Sequence, residues 1–204
     1  MNKILLIDGH SILNRAFYGV PPLTNFEGLH TNAVYGFINI MLKSLEDEHA
    51  DYIAVAFDLK APTFRHEMFA EYKGTRKPMP QELHEQVPVI KEVLAAMTIP
   101  VITLEGYEAD DILGTLAKRC QRDGFEVSIL SGDRDLLQLA DEHIKIRMPK
   151  TVKGQTSIEN YYPSDVIDKY QVTPEEFIDL KALMGDSSDN IPGVPGIGEK
   201  TATA

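Results

Sequence analysis

Cysteine is nearly absent. The single Cys120 excludes an internal disulfide framework and a cysteine-built zinc site, and it fits a reducing compartment. Long hydrophobic runs are missing as well. The opening MNKILLID is too short and too interrupted for a signal peptide, and no later run approaches the roughly 20 residues that span a bilayer. There are no internal repeats and no low-complexity tract, and the six histidines show no metal-ligand spacing. Positive charge is scarce: 20 Lys and Arg stand against 31 Asp and Glu, a formal charge of −11. Taken at face value, that balance argues against a nucleic-acid partner. What is present is ordinary globular material, 43% hydrophobic and 25% charged, which allows a sizeable core and excludes disorder. Length, 204 residues, favours one large domain or a domain with an appendage. The expectation is a soluble cytoplasmic monomer without membrane contact.

Several short apolar runs end in an acid or a small polar residue: 3–8 (KILLID), 52–58 (YIAVAFD), 100–104 (PVITL) and 127–133 (VSILSGD), with a weaker run at 144–148. Consecutive β-branched and apolar positions are the pattern of strands buried on both faces. Between them, helical periodicity predicts helices at about 32–49, 81–97, 109–123 and 134–141. This alternation implies an α/β fold with an open, mostly parallel twisted sheet flanked by helices. After about residue 160 the strand signal stops, and two short helices are expected at 163–170 and 174–184, each with proline in its first turn. The chain closes on a glycine-rich stretch and what reads as the first residues of a helix, so a fragment of a longer protein is expected.

In such a sheet, ligands bind outside the carboxyl ends of the strands. Asp8, Asp58 and Asp133 sit at those ends, and Glu108, Asp110 and Asp111 open the helix after the third run. Asp135 follows Asp133 by two residues, and Asp186 and Asp189 would share one face if their stretch were helical. A lone Asp at a strand end is more often a turn or helix cap, and acids at a helix start can act through the helix dipole alone. Nine such acids on one rim are another matter. Unpaired they would repel and several would stay protonated, whereas divalent cations such as Mg²⁺ or Mn²⁺ favour hard oxygen ligands. Nine acids exceed the need of one ion, which suggests two or more. Setting these nine aside leaves 22 acids against 20 bases, so most of the chain's acidity belongs to the rim.

From Lys60 to Lys77 the balance reverses, with Lys60, Arg65, Lys73, Arg76 and Lys77 against Glu67 and Glu71. Gly74, Pro78 and Pro80 suit a mobile arch better than a rigid helix. Phe64, Phe69 and Tyr72 are interleaved with the bases, and that mixture suits a polyanion with stacking bases. The terminal GVPGIGEKT nearly spells a P-loop, but Glu199 intervenes before Lys200, so nucleotide binding is excluded. A glycine turn between two helices exposes backbone N–H groups suited to a phosphate backbone.

The ordered set IDGH, FD, APTFRHE, YKGTRKPMP, GYEADD, SGDRDLLQL and GDSSDNIPGVPGIGEKTA resembles the 5′-nuclease domain found at the N-terminus of bacterial DNA polymerases I, in the flap endonuclease superfamily. The resemblance implies a PIN-like nuclease core over 1–171, with a basic arch at about 60–85. It implies the incomplete start of a helix–hairpin–helix element over 172–204. By position, Asp8, Asp58, Glu108 and Asp110 match a first metal cluster, Asp111 an acid near both clusters, and Asp133, Asp135, Asp186 and Asp189 a second. Lys73 and Arg76 match arch bases that engage the scissile phosphate, with Tyr72 as a stacking partner. Arg65 and Lys77 fall on the substrate side. Gly193, Gly196, Gly198, Lys200 and Thr201 match the hairpin that grips duplex DNA, where a K⁺ is often bound. The implied activity is metal-dependent cleavage of DNA at 5′ ends and flaps, with a polymerase module in the same polypeptide. A PIN-type ribonuclease, a phosphoryl-accepting signalling domain and a non-catalytic DNA-binding module are the rival readings.

Overall fold

A computed structural model of the protein describes residues 1–152 and 155–203. Ala204, the last residue of the expected second unit, lies outside the described residues. In chain order the elements begin with β1 (Lys3–Asp8), α1 (Gly9–Gly19), α2 (Asn32–Glu48), β2 (Tyr52–Ala56), α3 (Phe64–Met68), α4 (Gln81–His84) and α5 (Gln86–Ala96). Next come β3 (Val101–Ile102), α6 (Ala109–Arg122), β4 (Glu126–Leu130), a 3-10 turn (Arg134–Leu139), β5 (Ile144–Val152) and β6 (Gln155–Tyr161). The last are α7 (Pro163–Tyr170), α8 (Glu176–Met184), the two-residue strands β7 (Gly185–Asp186) and β8 (Ile191–Pro192), and α9 (Glu199–Ala202).

The sheet runs β3-β2-β1-β4-β5-β6, parallel except for β6, which pairs antiparallel with β5. This is the open, mostly parallel α/β arrangement that the runs imply. β1 lies between β2 and β4, so successive crossovers leave it in opposite directions and open a crevice beyond its carboxyl end. Side chains alternate along the strands, and both faces are covered. Leu5, Ile7, Val55, Phe57 and Leu130 pack with Ile12, Phe37, Met41, Ile90 and Leu94 of α1, α2 and α5. Leu6, Ala54, Ala56, Val127, Ile129, Ile144 and Ile146 pack on the other side with Ile112 and Leu113 of α6, Val166 of α7 and Leu180 of α8.

Four expectations need correction. Residues 9–19 form α1, which periodicity does not reveal in so short a stretch. The stretch after Asp133 forms a 3-10 turn, not an α-helix, because Asp133 turns its side chain onto the Asp135 N–H (2.9 Å) and tightens the backbone. β5 runs past the expected 144–148 and pairs with β6, a strand whose polar sequence QTSIENY carries no apolar run. Asp186 and Asp189 do not share a helix face. Asp186 ends β7 and Asp189 lies within the β7–β8 turn, and the Asp186 carboxylate accepts the backbone N–H of Ser188 (2.8 Å) and, more weakly, of Asp189 (3.3 Å).

One charged cluster lies inside the layers. Glu48, at the end of α2, is buried and accepts from the Ser128 hydroxyl of β4 (2.5 Å) and the Lys145 ammonium of β5 (2.9 Å). It also meets the buried Arg147 guanidinium. Burial pushes the Glu48 carboxyl up, but the hydrogen bonds of Lys145 and Ser128 and the neighbouring positive charges prevail, holding it below its ordinary value of 4.5. A carboxyl depressed in the fold stabilises above its unfolded pKa and loses that contribution as pH falls through the folded one. Glu48→Ala is expected to cost about 3 kcal/mol at neutral pH, because the buried Arg147 would be left with its longer contact to the exposed Asp47 (3.3 Å). Urea unfolding should show the wild-type chain losing stability below about pH 4.5. The loss should be shallower in Glu48→Gln, and equal slopes would rule out Glu48 as the titrating group.

Candidate active site

Asp8 ends β1 and caps α1. Its Oδ1 accepts from the Ser11 N–H (3.0 Å) and its Oδ2 from the Ser131 hydroxyl (2.8 Å). Burial pushes this carboxyl up to about 6, the charges of Asp58 and Asp133 add to the rise, and the two hydrogen bonds oppose it. Asp58, two residues beyond β2, ties its edge to the next helix by accepting the Ala109 N–H (2.7 Å), while its other oxygen faces His10 Nδ1 (3.2 Å). Burial works against its ionisation, but these two partners prevail and its pKa is lowered. Glu108 is the N-cap of α6. Two residues along, Asp110 is driven well above the usual carboxylate range by burial and then by the charges of Asp8, Asp133 and Asp58.

A cleft of about 1090 Å³ opens over this edge. Asp8, Asp58, Glu108, Asp110 and Asp133 line it on the sheet side, and Lys60, Lys73, Arg76 and Lys77 line it from the arch. Arg15, His84 and Lys91 contribute further basic groups. The crossover order thus brings five of the nine acids to one cavity.

The other four are held beside it by bases. Asp111 is clamped by both terminal nitrogens of Arg65 (2.7 and 2.8 Å) and accepts the Glu108 N–H (3.0 Å). The Lys181 ammonium bridges Asp135 (2.9 Å) and Asp186 (2.6 Å). Burial pushes the Asp186 carboxyl up, but Lys181 and the Ser188 hydrogen bonds outweigh it and bring its pKa down to about 2. Asp189 pairs with Arg76 and accepts from the Tyr72 hydroxyl (3.0 Å). The arch bases are turned inward in the same manner: Lys73 Nζ lies 2.7 Å from Glu108. With bases on these oxygens, no three acidic, His or Cys side chains among the described residues converge as metal ligands.

Tyr72 is not available for stacking as expected. Its ring is 5% exposed, because its hydroxyl reaches inward to both Glu108 (2.9 Å) and Asp189. Gly193 also has a packing role beside the one its motif implies. A Cβ there would lie 2.3 Å from the Met184 carbonyl carbon, and a Cβ on Gly185 (φ +72°) would lie 2.2 Å from the Gly193 nitrogen. Two backbones touch at this crossing, which only glycine allows. Gly196 and Gly198 face open space, and none of Gly193, Gly196, Gly198, Lys200 or Thr201 lines the cleft. Sequence reasoning missed Lys181, His10 and Ser131. The SGD motif contains Ser131, but a serine in a turn carries no mark of function by itself.

A family model described as the N-terminal, resolvase-like domain of 5′-3′ exonucleases matches residues 3–171. The chain belongs to the 5′-3′ exonuclease family. A second model of that family, described as the C-terminal SAM fold, matches residues 172–204. DNA polymerase I of Bacillus caldotenax is 56% identical over 200 residues, 98% of this chain and 23% of that protein. The polymerase I of Bacillus subtilis is likewise 56% identical, with 22% of its length covered. The chain thus spans less than a quarter of these relatives. Among solved structures, T5 5′-exonuclease with bound zinc superimposes at a TM-score of 0.78 with 26% identity, over 99% of this chain and 73% of that one. Flap endonuclease-1 of Methanococcus jannaschii shares the fold at a TM-score of 0.64 and 20% identity, over 99% and 70% of the two chains.

In this family member the backbone crossing predicts unequal costs for the two glycines. Gly193→Ala should destabilise by about 2 kcal/mol through overpacking, and Gly198→Ala, which meets no clash but gives up a favoured N-cap of the four-residue α9, by less than about 1 kcal/mol. Thermal unfolding of the two variants would show it, and equal melting temperatures would argue against the crossing.

Proposed function

We propose that this member of the 5′-3′ exonuclease family hydrolyses DNA phosphodiesters at 5′ ends and 5′ flaps, using divalent cations held by the acids of the cleft. The observation that carries this reading is the facing pair of walls: five carboxylates on the sheet edge and four bases of the arch across about 1090 Å³. The donor set fits hard cations such as Mg²⁺ or Mn²⁺. All the groups are carboxylates, and burial together with the charges of neighbouring acids raises the pKa of Asp8 and Asp110. The zinc-bound T5 5′-exonuclease supports a divalent ion without deciding which one is used here.

In this reading Asp8, Asp58, Glu108 and Asp110 hold one ion, with Asp111 behind them fixing the start of α6. Asp133, Asp135, Asp186 and Asp189 would hold a second once the Lys181 ammonium gives up Asp135 and Asp186. Such ions supply Lewis acidity toward the phosphodiester and make a nearby water a better nucleophile at neutral pH. The remaining work falls to the chain. Lys73 and Arg76 leave Glu108 and Asp189 to bind phosphoryl oxygens and offset the charge that develops there. Arg65 keeps Asp111 in place. Lys60 and Lys77 guide the strand along the arch. One water adds across the phosphodiester, leaving a 5′-phosphate and a 3′-hydroxyl. A polymerase module in the same polypeptide and a cytoplasmic setting complete the proposal, in keeping with relatives named DNA polymerase I.

The test is cleavage of a labelled 5′-flap duplex in Mg²⁺, with an EDTA control and an RNA flap for comparison. Cleavage near the junction is expected, abolished by EDTA and weaker on RNA. Lys73→Ala should lower the rate by about a hundredfold, and Asp133→Asn with Asp135→Asn by at least as much. Undiminished cleavage by the double variant would sink the two-ion assignment.

A further inference from the structure

Ser131 lies between β4 and the 3-10 turn and is completely buried. Its backbone N–H is spent on the Arg147 carbonyl (3.1 Å), leaving the hydroxyl for other work. The Asp133 N–H points at that hydroxyl oxygen (3.0 Å), and an N–H can only donate. The single hydroxyl proton is therefore directed to Asp8 Oδ2, 2.8 Å away. Asp133 in turn accepts the Asp135 N–H (2.9 Å). A chain of hydrogen bonds thus runs from Asp8, in the first group of acids, through one serine oxygen to Asp133 and Asp135 in the second. It joins acids whose charges push each other apart. Beside it the Gly132 N–H donates to the Ser11 hydroxyl (2.8 Å), a second tie between the same two turns that touches no acid side chain.

We propose that Ser131 is a positioning residue that sets the separation between Asp8 and Asp133, and with it the spacing at which the two divalent ions are held. The proposal rests on the nuclease reading above. Without the hydroxyl, Asp8 loses a donor, the Asp133 N–H is orphaned, and the hydrogen-bonded link that joins the two acidic residues themselves is gone, leaving the tie through Ser11 and Gly132. Groups that orient ligands from behind typically account for about 10–100-fold in metal affinity.

The experiment measures Mn²⁺ binding to this chain by electron paramagnetic resonance without DNA, and the Mg²⁺ dependence of flap cleavage. It uses the wild type, Ser131→Ala, Ser131→Thr and Ser11→Ala, with melting temperatures recorded for each. Ser131→Ala is expected to weaken Mn²⁺ binding by about tenfold or more. It should raise the Mg²⁺ needed for half-maximal cleavage by a similar factor and leave KM for the flap unchanged at saturating metal. Ser131→Thr, which keeps the hydroxyl, should restore metal affinity. If Ser131→Ala does not fold, Ser131→Cys leaves no cavity, exchanges a strong donor for a weak one, and carries the same expectation. Unchanged Mn²⁺ affinity in the hydroxyl-free variant, or an equal fall in Ser11→Ala, would overturn the assignment. A wild-type chain that neither binds Mn²⁺ nor cleaves would overturn the nuclease reading itself, a result distinguishable from failure at Ser131 alone.

Discussion

Five carboxylates on Asp8, Asp58, Glu108, Asp110 and Asp133 face one cleft at the edge of an apolar sheet, and each must be held against the repulsion of the others. Much of the surrounding structure answers that requirement. Backbone N–H groups of Ser11 and Ala109 are spent on Asp8 and Asp58, the Ser131 hydroxyl on Asp8, and ammonium and guanidinium groups on Glu108, Asp111 and Asp189. Charges crowded in this way resist burial unless something positive is near. The arch therefore does more than stand over the cleft, because its bases neutralise the acids.

The sheet order decides which acids meet. β1 and β4 are neighbours though far apart in sequence, so residues following Asp8 and Leu130 enter one crevice from two sides. Asp58 pulls in α6 through the Ala109 N–H, and α6 brings Glu108 and Asp110 with it. The stretch after α8 closes the group from the far side. There Lys73 N–H donates to the Asp189 carbonyl (2.8 Å), and the Asn190 side chain donates to the Glu71 carbonyl (2.9 Å).

How much of this was legible in the sequence depended on range. The parallel strands and the acids at their ends could be read, because the four stronger apolar runs stop at or near a carboxylate and the rule for open sheets says where such ends point. α1 was hidden because Asp8 serves at once as strand end and helix cap. β6 was hidden because it is an edge strand of mostly polar residues, held by backbone pairing with β5 and anchored to the core through Ile158 and Tyr161, which form no apolar run. Tyr72 could be recognised as aromatic and near bases, but its inward turn depends on Glu108 and Asp189, which lie on other elements. Glu48 and Arg147 are 99 residues apart, and no local pattern announces such a pair.

The place of β1 in the sheet also bears on how the chain assembles. Its second neighbour, β4, begins at Glu126, so a chain emerging from the ribosome carries Leu5, Leu6 and Ile7 with one edge of their strand unpaired until that segment arrives. Long-range parallel pairing of this kind is slow, since loop closure must precede the contacts that reward it. During that interval an apolar strand edge is open to other chains, the condition under which nascent domains aggregate or recruit a chaperone. The same register that gathers the acids after β1 and β4 holds back completion of the sheet until β4 has been made.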